Sequence, residues 1–397
     1  MAEAVRQAGF TMTIADELLL GPRGRRLCLA YVANTDEETR SAVFWLAHEL
    51  DPNPGTLFRF GGSESDVVED PAFTEAEVAE LIRHADLPSI SEEAVREAMC
   101  ETVDRARYWQ EPDGEDAVAA LPAVRESLLV VADHLIGGMP ALTAPFTTAQ
   151  WAIDWRVASD SAPIEPSPAA ALAKWTSAQR EDEKRSARER PSDPHANWSG
   201  TWWSVPQQLL TTRAEVMDAL QLVEDSLGWE VATVIPVHGA GRVLEIVSAD
   251  GWAALCREYP MEVTASRRHD WFRVTGHDRR WLIPDWERVA QRWDAVHLTT
   301  LGYLSAATRL IDIDGEYATV IAGWGPDSTI WLTDAACGTS RVCSGSNSTV
   351  RTCGCWTRTA VLEAEDRRLR PPARNDAFRD TRAMRQPRYS RATGRQG

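Results

Sequence analysis

QWAIDWRV, residues 150–157, sets Trp151, Ile153 and Trp155 against Ala152, Asp154 and Arg156. A period of two with one apolar face is the pattern of a β-strand. The chain before it reads as helix, and the chain after it as strands mixed with helices. The stretch therefore marks the change that makes this an α+β sequence.

Upstream, Thr35 precedes DEETRSAVFWLAHEL, whose Ala42, Val43, Leu46 and Ala47 recur at helical spacing. Thr74 caps EAEVAELIRHAD, and Ser89 with Glu92 forms a capping box for a helix running towards Trp109. A further helix covers residues 116–136 and ends at Gly137 and Gly138. GPRGRRLCLAYV, residues 21–32, joins glycines and three arginines to an apolar run. It lacks the lysine and the helix-start context of a phosphate-binding P-loop, so it reads as a turn entering a strand. A mainly helical N-terminal domain is expected over residues 1–145.

Downstream, Ser167 and Pro168 start a helix that runs into QREDEKRSARER, a charge run read as a solvated face or linker. A helix over residues 213–227 follows, then WEVATVIPV and GRVLEIVS, two strands separated by the turn at Gly239 and Gly241. DGWAALCREYP is a helix with Trp252, Leu255 and Cys256 inward. VTASRRHDWFRVTGHDRRWLIPDW has no regular pattern and reads as a loop whose Arg267, Arg268, His269, Arg273 and His277 suit a phosphate. WERVAQRWDAVHLTTLGYL is a short helix leading to a strand, and YATVIAGWGPDSTIWLTD is strand, turn, strand. These elements make a Trp-rich mixed-sheet domain over residues 146–334.

The formal net charge of −17, with Lys only at Lys174 and Lys184, argues against a general binder of phosphate backbones. No apolar run approaches the roughly 18 residues a membrane helix needs. The start MAEAVRQAGFTMTIADELLL has no basic segment before a long apolar one. A cytoplasmic protein without a membrane partner is expected. Cys28, Cys100 and Cys256 are widely separated, which suits buried thiols in a reducing compartment. Residues 335–397 differ, with thirteen Arg against five Asp or Glu. They read as a disordered Arg/Cys-rich tail, of the composition that a frameshifted reading of GC-rich DNA gives. Nucleic acid is expected as a partner only through this basic tail. Cys337, Cys343, Cys353 and Cys355 follow C-x5-C-x9-C-x-C, without the paired C-x2-C knuckles of zinc sites, and no metal is expected.

Three groups of residues carry chemistry. NWSGTWWSVP places Trp198, Trp202 and Trp203 beside Ser204, more indoles than one small core buries, so that some are free to stack on a planar base or nicotinamide ring. Asp294 and His297, three apart, suit a base and its orienter, and with the basic loop around Arg268 they suggest a hydrolase or nuclease-like enzyme. Asp327 lies beside Ser328, Thr329, Trp324 and Trp331 at a turn, the edge of a site.

The ordered set GTWWSVP, GRVLEI, DGWAALCREYP, IPDWERVAQRWDAVHL and AGWGPDSTIWL resembles a family of uncharacterised proteins of GC-rich bacteria. A more distant resemblance is to the mono-ADP-ribosyltransferase superfamily. It implies an arginine on a first strand, matched by Arg156, and an aromatic and serine strand supporting the NAD site, matched by Trp202, Trp203 and Ser204. The late catalytic acid is matched by Glu316 or Asp327. NAD would then be a substrate: a carboxylate stabilises the ribose as nicotinamide leaves, and an arginine neutralises the pyrophosphate. Beside this enzyme and the Asp294/His297 hydrolase stands a third reading, a non-enzymatic interaction module, of an immunity or regulatory kind, whose indoles bind an unknown protein partner.

Overall fold

The computed structural model describes residues 12–55, 70–155, 167–224 and 232–338. Its first part is helical: α1 (Ile14–Leu20), α2 (Pro22–Thr35), α3 (Glu37–Leu50), α4 (Glu75–His84), α5 (Glu92–Asp104), α6 (Gly114–Ala120) and α7 (Pro122–Gly138). Capping boxes start α1 and α4, Thr13 with Asp16 and Thr74 with Glu77. α3 buries Ala42, Val43, Leu46 and Ala47, as their period predicts, and Asp36 is its N-cap. Ser91, not Ser89, caps α5 by accepting from the Ala94 amide, so the expected box with Glu92 does not form. The helix expected over residues 116–136 is two helices, because Pro122 takes the first position of α7.

α2 corrects the reading of residues 21–32 as a turn entering a strand. Pro22 occupies the first helical position, and Leu27 to Val32 are all buried. Enclosure on every side removes the polar face whose period distinguishes helix from strand.

The second part runs β1 (Ala149–Asp154), α8 (Pro168–Glu189), β2 (Thr211–Arg213), α9 (Val216–Gln221), β3 (Thr233–Gly239), β4 (Val243–Ile246), α10 (Ala249–Glu258), β5 (Pro260–Glu262) and α11 (Thr264–Thr275). It continues with β6 (Arg280–Pro284), α12 (Trp286–Val289), β7 (Ala295–Leu298), α13 (Thr300–Ala306), β8 (Ile311–Asp312), β9 (Tyr317–Thr319), β10 (Ser328–Trp331) and β11 (Ala336–Gly338). The architecture is α+β. Residues 264–275, read as an irregular loop, are helix α11, whose inward positions include Arg267, His269 and Asp270 and so carry no apolar stripe. Of the helix expected over residues 213–227, the described residues form α9, with Thr211–Arg213 in a strand, and residues 225–227 lie outside the described residues. The charge run in α8 is more than a solvated face: Asp182 is buried, and the Glu183 carboxylate accepts from the Ala265 and Ser266 amides (2.8 Å each) at the start of α11.

Two sheets form, one ordered β11-β3-β1-β2-β10-β7-β4 and one ordered β5-β6-β9-β8. In the first, β3 and β4 are five strand spacings apart, yet only residues 240–242 join them. Five spacings of ~4.8 Å need ~24 Å in a flat sheet, and four Cα steps reach ~15 Å at most. The sheet must therefore curl, and the ring of Trp331 confirms it by lying where a Cβ on Gly239 would fall 2.1 Å from the indole. On the inner face, cross-strand register lines up Glu245, His297, Thr329, Thr212, Ala152 and Ile235. In β1 the more buried residues are Gln150, Ala152 and Asp154, the face opposite to that of the indoles.

Helices α1 to α7 share one hydrophobic core with β4, β7 and β10, from Leu18 and Leu27 through Trp252 and Tyr303 to Ile330, while Ala152 of β1 and Ile235 and Val237 of β3 form a separate small cluster. β11 continues the sheet past residue 334. Residues 339–397, which hold Cys343, Cys353 and Cys355, lie outside the described residues. Among the described residues no helix is long and apolar enough to cross a membrane.

Candidate active site

The β7–β10 register pairs His297 with Thr329, and Asp327, two residues before Thr329, falls on the same face. His297 is fully buried, with Nδ1 2.9 Å from Thr329 Oγ1. Its Nε2 points at Asp327 Oδ1 from 3.6 Å, beyond hydrogen-bond reach, and has no hydrogen-bond partner among the described residues. Burial lowers the imidazole to about 4, so it is neutral at physiological pH. Asp327 adopts φ 48°, a left-handed conformation, and its Oδ2 accepts from the Ala214 amide (3.1 Å). Burial raises its carboxyl to about 6, against the pull of the Ala214 amide and Arg213.

Asp294 is not the partner of His297. A spacing of three along an extended chain sends the two to opposite faces. Asp294 instead accepts from the Arg242 amide (2.8 Å) and from Arg242 Nε (3.0 Å), fastening the short β3–β4 link. Those contacts hold its carboxyl below the usual range.

A buried network adjoins Asp327. Glu224 accepts from the hydroxyls of Tyr108 and Tyr303, the latter at 3.1 Å. Burial raises Glu224 to about 7, while both hydroxyls, Arg213 and Arg23 pull the other way. Burial also lowers Arg213, opposed first by Asp327 and then by Asp218, Tyr303 and Glu224. Arg213 is held in place by the Asp218 carbonyl (2.9 Å) and by Gly325, where a Cβ would fall 2.2 Å from Nη2. Tyr108 in turn stacks on Trp202 (5.2 Å, 19°), which packs against Trp109 (4.9 Å) and Trp203 (4.7 Å). Of the residues singled out in the sequence, Asp327, His297, Trp202 and Trp203 thus border one connected region. Glu224, Arg213, Tyr108 and Tyr303 complete it; 116 and 79 residues separate Glu224 from its two tyrosines, so no local spacing could have revealed them.

The remaining candidates are placed elsewhere. Ser204 is buried and rivets two segments together: its Oγ accepts from the Ala322 amide (2.9 Å) and donates to the Ala322 carbonyl (3.1 Å). Glu316 is exposed and paired with Arg280, which stacks on Tyr317 (4.3 Å). Arg268 donates to the Pro191 carbonyl (3.1 Å). Arg268 and Glu316 border an open depression with Ser192, Thr264, Arg279 and Arg280, apart from His297 and Asp294. Arg156 lies outside the described residues. Among the described residues no group of three or more His, Cys, Asp or Glu could hold a metal. Among the described residues the exposed large apolar side chains are Met12, Ile14, Leu50, Leu129, Val130, Trp198 and Val247, drawn from separate parts of the chain, with one indole among them.

Compared with known proteins, the chain matches no family model, no curated protein and no solved structure.

Proposed function

We propose that the chain is an enzyme of general acid–base chemistry that cleaves or transfers a glycosidic bond, with NAD as the first substrate to test. One observation carries the reading: Asp327 and Glu224, two carboxyls raised to about 6 and about 7, both lie within electrostatic reach of the half-buried Arg213. Carboxyls that titrate near neutrality are suited to proton exchange in catalysis. The side chain of Asp327 keeps 15% exposure, which gives the network an edge open to a ligand.

In this reading the bond from the ribose C1′ to the nicotinamide nitrogen breaks, and its electron pair leaves with neutral nicotinamide. An acceptor hydroxyl or water bonds to C1′ and gives its proton to Glu224 or Asp327, while the ionised partner stabilises positive charge on the ribose. Arg213 neutralises a phosphate oxygen, and the Trp202–Trp203 pair supplies a stacking face. Ser204 acts through the clamp on Ala322 by setting the position of the adjoining indoles.

The test is nicotinamide release from NAD by the full chain between pH 5 and 9. Release with a limb near pH 6–7, reduced at least ~100-fold in Asp327→Asn and Glu224→Gln while both variants stay folded by circular dichroism at the assay pH, is the expected outcome. A parent chain that releases nothing, with no shift of Tm by NAD, overturns the proposal.

A further inference from the structure

The chemistry proposed above leaves His297 unused, although its imidazole is fully buried on the inner face of the curled sheet. The register of β7 against β10 sets it opposite Thr329, whose buried hydroxyl lies 2.9 Å from Nδ1. Among the described residues that hydroxyl has no other partner. A buried O–H needs an acceptor, and Nδ1 is the one within reach. The Thr329 hydroxyl therefore donates to Nδ1, and the proton of the neutral ring sits on Nε2. That N–H is buried and unpaired, and Asp327 Oδ1, at 3.6 Å, is the one carboxylate oxygen within 4 Å of it among the described residues.

The other groups around the pair are engaged elsewhere. Phe146 sets its ring edge towards the imidazole, 6.0 Å between centroids, and its amide donates to Oε1 of Glu245, the residue opposite His297 on β4 (2.5 Å). Arg213 on β2, with Asp218 and Glu215 at α9, are the charged groups that bear on Asp327. Asp327 itself is pinned on one side, by the Ala214 amide at Oδ2 and by its left-handed backbone. Oδ1 is left to turn. A swing of ~0.7 Å about the pinned Oδ2 brings it to the ~2.9 Å of an ordinary N–H···O bond, and a buried N–H gains from that closure.

We propose that His297 is the positioning residue of Asp327: its Nε2–H, aimed by Thr329, closes on Oδ1 and fixes the plane of the carboxylate. The proposal rests on the reading of Asp327 as an acid–base group. A neutral donor orients a carboxylate without adding a charge, and so without the strong lowering that a guanidinium in the same place would bring. Asp327 is thereby held in one orientation and still exchanges a proton near neutrality. Each of its oxygens keeps a second lone pair for the substrate.

The experiment is NMR of the full chain carrying 15N-histidine and 13C-carboxyl aspartate, beside the nicotinamide assay. The His297 signals, assigned by their loss in His297→Gln, are expected to show the Nε2–H tautomer. The Asp327 carboxyl, assigned by its loss in Asp327→Asn, should titrate roughly 0.5–1 pH unit higher in His297→Phe, which keeps a ring and removes the donor. His297→Gln, whose amide still donates, should keep the parental midpoint. A purely structural role would lower the Tm of His297→Phe and leave that midpoint in place. Thr329→Val, which no longer aims the ring, replaces His297→Phe if that variant does not fold, with a shift in the same direction expected. A Nδ1–H tautomer in the parent, or a midpoint of Asp327 that does not move in the folded variant, overturns the proposal. A midpoint that moves in a chain releasing no nicotinamide overturns the NAD reading alone and upholds the pairing of His297 with Asp327.

Discussion

In the helical half, Arg23 and Arg26 of α2 meet Asp113, Glu115 and Asp116; in the sheet half, Arg213 meets Asp327, Asp218 and Glu224. The residue types are the same and the electrostatic outcomes are opposite. Burial pushes Arg23 and Arg26 down, but their carboxylates outweigh it, and both arginines stay above their ordinary value. Burial pushes Asp113 up, yet Arg26 carries it below the usual carboxylate range, while burial keeps Glu115 above it. Around Arg213 burial wins throughout: the arginine falls, and Asp327, Asp218 and Glu224 all rise. A cluster in which each charge has a partner at contact distance holds helices together. A cluster in which charges outrun their partners keeps protons available near neutrality.

The contrast is most easily broken at Arg26, which has four carboxylates within 3.6 Å. Arg26→Met should cost about 3–5 kcal/mol in chemical denaturation, because it strands buried carboxylates. A loss under about 1 kcal/mol would remove the distinction. Glu224→Gln should act through pH instead. Folded Glu224 titrates at about 7 against an ordinary 4.5, so the folded state binds the extra proton in that window, and parental stability falls as pH rises from about 4.5 to about 7. The variant lacks this fall, and its advantage over the parent should grow by about 2–3 kcal/mol between pH 4.5 and 8 in urea unfolding. A flat difference would mean that Glu224 is already ionised.

His297 has the opposite sign. Its folded value of about 4 lies below the ordinary 6.5, so its contribution is complete above pH 6.5 and is lost as pH falls towards 4. His297→Gln should remove about 2 kcal/mol of that acid-side loss, measured by the same unfolding series. Asp327→Asn should behave as Glu224→Gln does but between about pH 3.8 and 6, and by only about 1–2 kcal/mol, since its side chain retains some solvent. Arg83→Ala, which cuts an exposed pair with Glu80, sets the floor at under about 0.5 kcal/mol.

Legibility in the sequence follows the same division. Thr74 with Glu77, Ser167 with Pro168, and the apolar period in α3 are local signals, and each marks its element correctly. α2 and α11 were illegible because burial removes the polar face from one and fills the inward face of the other with Arg267, His269 and Asp270. At the site, Asp327, His297, Trp202 and Trp203 stand out as residue types, but their grouping depends on strand register. Pairing His297 with Asp294 assumed that nearness along the chain is nearness in space, which in an extended strand fails at odd spacings. Glu224 lies in the unremarkable QLVEDSL, and its importance comes from a tyrosine on each side of the fold.

The three-residue link between β3 and β4 acts as a hoop. Strands consecutive in the chain are held at distant places in the sheet, so the hoop can close only when the four strands between them are in register. Such non-local closure favours cooperative assembly over strand-by-strand growth and slows the search for it. Asp294, which in the sequence looked like half of a catalytic pair, is the buckle of that hoop.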